Sequence, residues 1–400
     1  MANKNLFYIL EAETLDFFLK STRYFETFYF LSEQFSKSTI INISKITGKD
    51  IKNNNFKKIL KKKNINYFCP LTTDELFEKI KKENNYTFFK ARFSLKNHKI
   101  LRVLKNSGIK FIQIANYSFI HNKKLFEGRS IKQSFRIIFK MRLINYFHRL
   151  MSALSLYPKI EIHFDCDQRR INSIKNSISN KINKYIPLLK LSHYKNIVRI
   201  NSKYYSDFLR SNRDKLEEKY ITVCDSPLAH EDFTLMDGPH DVEKVEQFYK
   251  NLNLFLISIQ KIFKKKVVIC LHPKGEYNQF KNYLLLKKNF KTVLFKTEYY
   301  IAKSYLVLNT TSSAINYAIM QNKPIFILNS KYYGNTTKNK IKNTQKQLNY
   351  PTIDIDHFKK YNFIKILKSR NFKKLNYENK KRLIFKENTT DIQQVMNYLK

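Results

Sequence analysis

An α/β fold of two doubly wound parallel-sheet domains is predicted by three features of this 400-residue sequence. The chain is longer than one hydrophobic core usually serves, so two domains are expected. Short apolar runs alternate with charged helical stretches through the first half. From residue 219 to 330 the alternation becomes strictly strand, helix, strand, helix, which is how a parallel sheet with crossover helices is written. The composition, 43% apolar with 15% aromatic, supplies enough core for a globule and argues against a disordered chain.

Taken in order, the first strands are expected at 5–10, 39–43 and 109–114. Before the last of these, Ile100, Leu101, Val103 and Leu104 form one face of a helix. Gly108 ends that helix, and the chain runs on as a buried strand. Residues 122–150 mix Lys and Arg with Ile, Phe, Met and Leu at helical spacing. Two readings stand: a domain helix with a basic outer face, or a basic amphipathic helix resting on an anionic membrane. Strands follow at 159–164 and 196–200, and a helical stretch at 204–219 leads out of the first domain. The expected division is 1–210 for a first α/β domain, 211–335 for a second α/β domain, and 336–400 for a helical tail packing back on both.

In the second half a strand at 220–224 precedes a helix at 241–264 with apolar positions Val245, Phe248, Leu252, Phe255 and Ile259. A strand at 266–271 ends in His-Pro. A helix at 276–288, a strand at 292–295, a helix at 298–303, a strand at 305–308, a helix at 312–320 and a strand at 324–328 complete the pattern. In such sheets ligands bind at the carboxyl ends of the strands, so the residues there are the ones to read for chemistry.

The balance of 75 Lys and Arg against 32 Asp and Glu gives a net charge of +43. The accompanying excess of Asn, Ile, Phe and Tyr over Gly, Pro, Ala and Trp is the bias of an AT-rich genome. The charge is therefore read as that bias with a solvated Lys surface, or else as attraction to anionic membrane, and not as a nucleic-acid site, since no recognition motif supports one. Cys69, Cys166, Cys224 and Cys270 are widely spaced, without CxxC or nearby His, as expected of buried thiols in a reducing compartment. The N-terminus is interrupted by Glu11 and Glu13 and has no small-residue cleavage site. No run reaches 18 uncharged apolar residues. A cytoplasmic protein is expected, with any contact at the inner face of the cytoplasmic membrane peripheral.

Three strand ends carry chemistry. In VVICLHPKGEY the strand delivers His272, Pro273 and Lys274; His and Lys can donate to a diphosphate while Pro273 fixes the turn. In YLVLNTTSSAINYAIM a strand is followed by Thr310, Thr311, Ser312 and Ser313 and then a helix. That run of hydroxyls exceeds what one helix cap needs and suits a phosphate. In ITVCDSPLAHEDFTLMDGPHD the loop holds Asp225, His230, Glu231, Asp232, Asp237 and His240, candidates for accepting a hydroxyl proton, with Asp241 as a helix cap.

LHPK followed by TTSS, with a helix and the strand KPIFIL behind it, resembles the His-Pro and Ser-Ser motifs of bacterial sialyltransferases and related GT-B transferases that use CMP-activated acidic sugars. The wider frame also takes in CDSPLAHEDF, Lys296-Thr297-Glu298 and TTSSAINYAI, and is similar to a bacterial family of surface carbohydrate biosynthesis proteins. The resemblance is confined to the second half. It implies a GT-B-like fold, with two Rossmann-type domains facing a cleft. The implied activity is metal-independent transfer of sialic acid or a related nonulosonic acid from a CMP-sugar to an acceptor glycan of capsule, lipooligosaccharide or O-antigen. No cofactor beyond the sugar donor is implied.

Carried onto this chain, the resemblance places His272 on the donor phosphate and leaving group, and Ser312 and Ser313 on the nucleotide phosphate. Its acidic-acidic-Gly motif corresponds to Met236-Asp237-Gly238, which lacks the first acidic residue. Asp237 is the implied base, with Asp225 and Glu231 as competitors. Alternatives are a UDP- or CDP-sugar transferase, an epimerase-like enzyme, or a non-catalytic member of a polysaccharide assembly complex.

Overall fold

In the computed structural model, the residues described are 5–10, 28–29, 31–33, 35–48, 65–81, 86–89, 98–115, 151, 156–176, 194–210, 217–225, 228, 241–272, 280–294 and 296–399. They form two compact units. One combines the described residues up to Lys203 with those from Phe385 onward, and the other contains those of Tyr204–Ile384.

The first unit is built on a seven-stranded parallel sheet in the order β3-β2-β1-β4-β5-β6-β7. Its strands are β1 (Asn5–Leu10), β2 (Lys37–Asn42), β3 (Asn66–Phe68), β4 (Tyr86–Phe89), β5 (Lys110–Ala115), β6 (Ile160–Asp165) and β7 (Tyr194–Arg199). Helices α1 (Thr73–Ile80) and α2 (His98–Asn106) cover one face, packing Leu76, Ile80, Ile100 and Leu104 on Phe7, Ile9, Ile41 and Phe111. Gly108 closes α2 with φ +69°, a conformation that disfavours a side chain. Helix α3 (Gln168–Lys175) follows β6.

The second unit opens with α4 (Lys203–Arg210) and holds a six-stranded parallel sheet in the order β10-β9-β8-β11-β12-β13. In chain order these are β8 (Tyr220–Cys224), α5 (Val242–Phe263), β9 (Lys266–Cys270), α6 (Lys281–Asn289), β10 (Lys291–Val293), α7 (Thr297–Ala302), β11 (Ser304–Asn309), α8 (Ile315–Met320), β12 (Ile325–Asn329), α9 (Asn335–Leu348) and β13 (Thr352–Asp354). Numbered within the unit the order is 3-2-1-4-5-6, the doubly wound arrangement whose direction reverses between the first and fourth strands, β8 and β11. The central strands are buried on both faces, with Leu306, Val307, Leu308, Ile325, Phe326 and Ile327 all 0% exposed, as parallel strands require. The five apolar positions expected on α5 are all in this core.

Two expectations are revised. The unit begins at Tyr204, seven residues before the anticipated 211, because Tyr204 and Tyr205 are buried in the second core. The stretch from 336 is not one tail. Through Ile384 it belongs to the second unit, supplying β13, a 3-10 helix (Ile355–Lys360), α10 (Phe363–Ser369) and α11 (Phe372–Lys380). The chain then returns to the first unit as α12 (Asp391–Leu399), whose Val395, Met396 and Leu399 pack on Leu6, Tyr8 and Phe164. Asn201 fastens that return. Its Oδ1 accepts from the N–H groups of Phe385 (2.5 Å) and Lys386 (2.9 Å), and its Nδ2 donates to the carbonyls of Lys386 (2.6 Å) and Thr389 (2.5 Å).

The basic segment 122–150 lies outside the described residues. Among those described, no helix is long and apolar enough to cross a membrane, and no group of three His, Cys, Asp or Glu is placed to hold a metal ion. Cys166, Cys224 and Cys270 are buried free thiols, whereas Cys69 is half-buried.

Candidate functional site

Strand register sets the geometry. Cys224 pairs with Cys270 on β9 and with Asn309 on β11, so these three side chains form one row on a common face of the sheet. The next residue on β8 is Asp225, and the next on β11 is Thr310. His272 lies two residues beyond the end of β9. Asp225, His272 and the 310–313 hydroxyl run are thus brought to the carboxyl edge of three adjacent strands, around the point where the strand order reverses. The Asp225 N–H donates to the Cys270 carbonyl at 3.0 Å, which ties the residue after β8 to β9.

The hydroxyl run departs from expectation in one respect. The helix was expected from 312 and begins at Ile315, with only six residues. The intervening residues form a tight turn. Ser312 Oγ accepts from the Ala314 N–H at 3.3 Å, while the amides of Ile315 and Asn316 donate to the carbonyls of Ser312 (3.4 Å) and Ser313 (3.2 Å). A short helix with those amides engaged contributes little dipole, so the groups this segment can offer an anion are the hydroxyls and the turn. Thr310 and Thr311 are buried, and Ser312 and Ser313 are half-buried.

Beneath the run lies Tyr333, whose hydroxyl donates to Thr310 Oγ1 at 3.5 Å and whose ring packs 5.2 Å from that of Phe248. Burial pushes the Tyr333 phenol well above its ordinary range; the Thr310 contact opposes this, and the negative charges of Asp225 and Asp356 add to it. Burial likewise pushes the Cys270 thiol up to about 12, against the lowering effect of the Thr297 hydroxyl and with a further upward push from Asp225. Cys224 is raised for the same reason. The site floor therefore carries neutral phenol and thiols, and Asp225 supplies the negative charge they sense.

Two residues that sequence reasoning passed over stand out. Asn309 ends β11 and Asn316 lies on α8; both are 0% exposed. Among the described residues neither amide nitrogen nor either amide oxygen has a hydrogen-bond partner. Their signal was present: SYLVLN and INYAIM are apolar core segments interrupted by one Asn each. The neighbouring Tyr317 is spoken for, donating to Asp207 Oδ2 at 2.9 Å and meeting the Tyr204 ring at 4.8 Å, which anchors α8 to α4.

The expected base Asp237 and the donor-side Pro273 and Lys274 lie outside the described residues, as do His230, Glu231, Asp232 and His240. Asp241 is placed, and caps α5 by accepting from the Glu243 N–H at 3.0 Å.

No protein-family model and no curated protein matches the chain. Solved structures do. A putative UDP-N-acetylglucosamine 2-epimerase from Listeria monocytogenes superposes with TM-score 0.51 at 9% identity, covering 100% of this chain and 96% of its own. UGT2 of Phytolacca americana, complexed with UDP-2-fluoro-glucose and pterostilbene, gives TM-score 0.51 at 11% identity, covering 100% and 99%. A further UDP-N-acetylglucosamine 2-epimerase gives 0.50 at 11%, covering 94% and 91%. The likeness is one of fold: the chain is an α/β protein of GT-B type, with two Rossmann-type parallel sheets.

Proposed function

We propose that this protein is a nucleotide-sugar-dependent GT-B glycosyltransferase. The observation that carries the reading is the convergence of Asp225, His272 and the hydroxyls of residues 310–313 at the strand-order reversal of a 3-2-1-4-5-6 sheet. A doubly wound sheet binds nucleotides in that position. The structures it resembles in fold include two described as UDP-N-acetylglucosamine 2-epimerases and one complexed with UDP-2-fluoro-glucose, which supports a nucleotide sugar as the ligand class. The finer reading, from the LHPK and TTSS motifs, is a CMP-linked sialic acid or related nonulosonic acid passed to a surface glycan, lipid-linked acceptors included.

In the proposed reaction a carboxylate takes the proton of an acceptor hydroxyl, and Asp237 is assigned that role with Asp225 as its competitor. The hydroxyl oxygen bonds to the anomeric carbon as the bond from that carbon to the donor phosphate oxygen breaks. His272 and Lys274 stabilise the charge growing on the departing phosphate, with the hydroxyls of Thr310, Thr311, Ser312 and Ser313 holding the nucleotide side. Cationic and hydroxyl donors are assigned the neutralisation that a metal supplies in other transferases. The segment 122–150 is assigned to peripheral contact with the inner face of the cytoplasmic membrane.

A second reading, a UDP-sugar transferase or epimerase, is favoured by the two epimerase folds. Thermal shift against CMP, CDP, UDP and GDP separates them, because a ligand of the folded state alone raises the midpoint. Stabilisation by CMP that is lost in His272→Ala and Ser312→Ala supports the CMP-sugar enzyme. A preference for UDP moves the assignment to the second reading. Silence toward all four removes the enzyme reading and leaves a scaffold.

A further inference from the structure

From His357 to Tyr377 the second unit presents a stretch without a single acidic residue that carries Lys359, Lys360, Lys365, Lys368, Arg370, Lys373 and Lys374. It comprises the end of the 3-10 helix, α10 and the first turns of α11. Lys359, Lys365, Lys368, Arg370, Lys373 and Lys374 are all exposed. Among the described residues none of the six has a carboxylate within 4.0 Å. Some other cations of the same unit are neutralised, as in Lys219 with Glu217 (2.6 Å) and Lys323 with Glu218 (3.0 Å). Lys360 is the exception within the stretch, reaching Asp354 at 4.0 Å. Asp356, which directly precedes the stretch, is occupied by the Ser330 hydroxyl (2.9 Å), the Lys331 N–H (2.6 Å) and the Asn251 amide (2.8 Å).

The surface is also apolar in a particular way. Ile364 is 45% and Tyr377 60% exposed, and Leu254 on α5 is 49% exposed. Two hollows join Leu254 and Ile364 to lysines of the stretch. One of about 670 Å³ sets Leu254 and Phe358 against Lys359 and Lys360, with Asp356 also in its lining. A second of about 460 Å³ sets Ile364 against Lys365 and Lys368, with Asn362 and Ser369 at its margin. A phosphate fits the lysines while the aliphatic side chain meets the glycerol and upper acyl region, and Tyr suits the boundary between them. A nucleic acid or anionic glycan would use the cations and leave the aliphatic groups exposed to water.

We infer that the face formed by the 3-10 helix, α10 and the start of α11 is a docking surface for an anionic phospholipid bilayer. Unpaired cations and exposed aliphatic groups share the same hollows there, and a membrane interface satisfies both at once. The surface does not depend on the donor reading, because no residue assigned to donor binding lies on it.

The test is co-sedimentation of the full chain with vesicles of phosphatidylcholine containing 30% phosphatidylglycerol, against pure phosphatidylcholine. Combining Lys365→Glu, Lys368→Glu and Lys373→Glu should lower the partition coefficient at least roughly tenfold. A control that reverses three exposed lysines near the amino edge of the sheet, Lys264→Glu, Lys266→Glu and Lys288→Glu, makes the same charge change and should cost less than about twofold. Ile364→Ser, which leaves the charge alone, should weaken binding severalfold, and each variant should keep the wild-type response to nucleotides. Equal losses in both triple variants would overturn the inference in favour of general attraction to a +43 chain. Unchanged vesicle binding by Ile364→Ser, together with equally tight binding of an oligonucleotide, would overturn it in favour of a polyanion site.

Discussion

Asn309 and Asn316 carry two complete carboxamides into a core where nothing described meets them. An unmet buried amide costs stability, and cores usually exclude one unless a ligand or bound water uses it. Replacement by the apolar isostere should therefore stabilise the empty protein: Asn316→Leu is expected to add about 1–3 kcal/mol in urea unfolding while abolishing nucleotide-induced thermal shift. A loss of stability would show that the amide is already satisfied. The thiols give a pH test. Cys270 ionises near 9.0 when unfolded and at about 12 when folded, so the folded state holds its proton longer. The stability this represents is intact below pH 9 and is lost as pH rises from there toward 12, by up to about 1.4 kcal/mol per pH unit for each such thiol. The unfolding midpoint should fall between pH 8 and 10, and Cys224→Ala combined with Cys270→Ala should flatten that dependence. At pH 8 a thiol-reactive disulfide should label Cys69 rapidly and the three buried cysteines only after denaturation.

Among the elements, α6 shows how one helix completes another. Its cap position is Phe280, which offers no side-chain acceptor. Glu246 on α5 fills the gap, accepting from the N–H groups of Lys281 (2.6 Å) and Asn282 (2.8 Å). A carboxylate there meets both the orphan amides and the positive end of the helix. Glu246→Ala should cost about 1–2 kcal/mol and Glu246→Gln about half as much, measured by urea unfolding; an Ala variant as stable as wild type would assign the cap to solvent. The other end of α5 is strained, since Lys264 closes it with φ 51°. Lys264→Gly should gain about 0.5–1 kcal/mol by relieving a left-handed side chain.

At the scale of the whole molecule, the chain leaves the first unit at Tyr204 and returns to it at Phe385. The returning α12 is part of the first core, so the last 16 residues hold together a unit whose strands begin nearly 400 residues earlier. Deleting 385–400 should lower the first unit's calorimetric transition and leave the second near its wild-type temperature. Asn201→Ala, which strips four side-chain hydrogen bonds from the return, should shift the same transition by about 2–4 kcal/mol. Lowering both transitions together would mean that the units unfold as one.

Periodicity alone was enough for the α/β class, the helix face of α5 and the long strands of the second sheet, because each buried strand or helix writes its own spacing of apolar residues. The strand ends at His272, Asp225 and Thr310 followed from the same local pattern. β3, β4 and β13 did not, because three or four residues are too few to show alternation; β10, equally short, was placed only by the helical stretches on either side of it. The role of the last turn of chain was equally hidden, since nothing near Val395 or Met396 in sequence says which distant sheet will cover them. Asn309 and Asn316 were visible as letters but not as unmet amides, for burial is a property of what packs around a residue. Local spacing determined which elements form, and tertiary packing decided their neighbours, because strand order and burial depend on contacts between residues far apart in the chain.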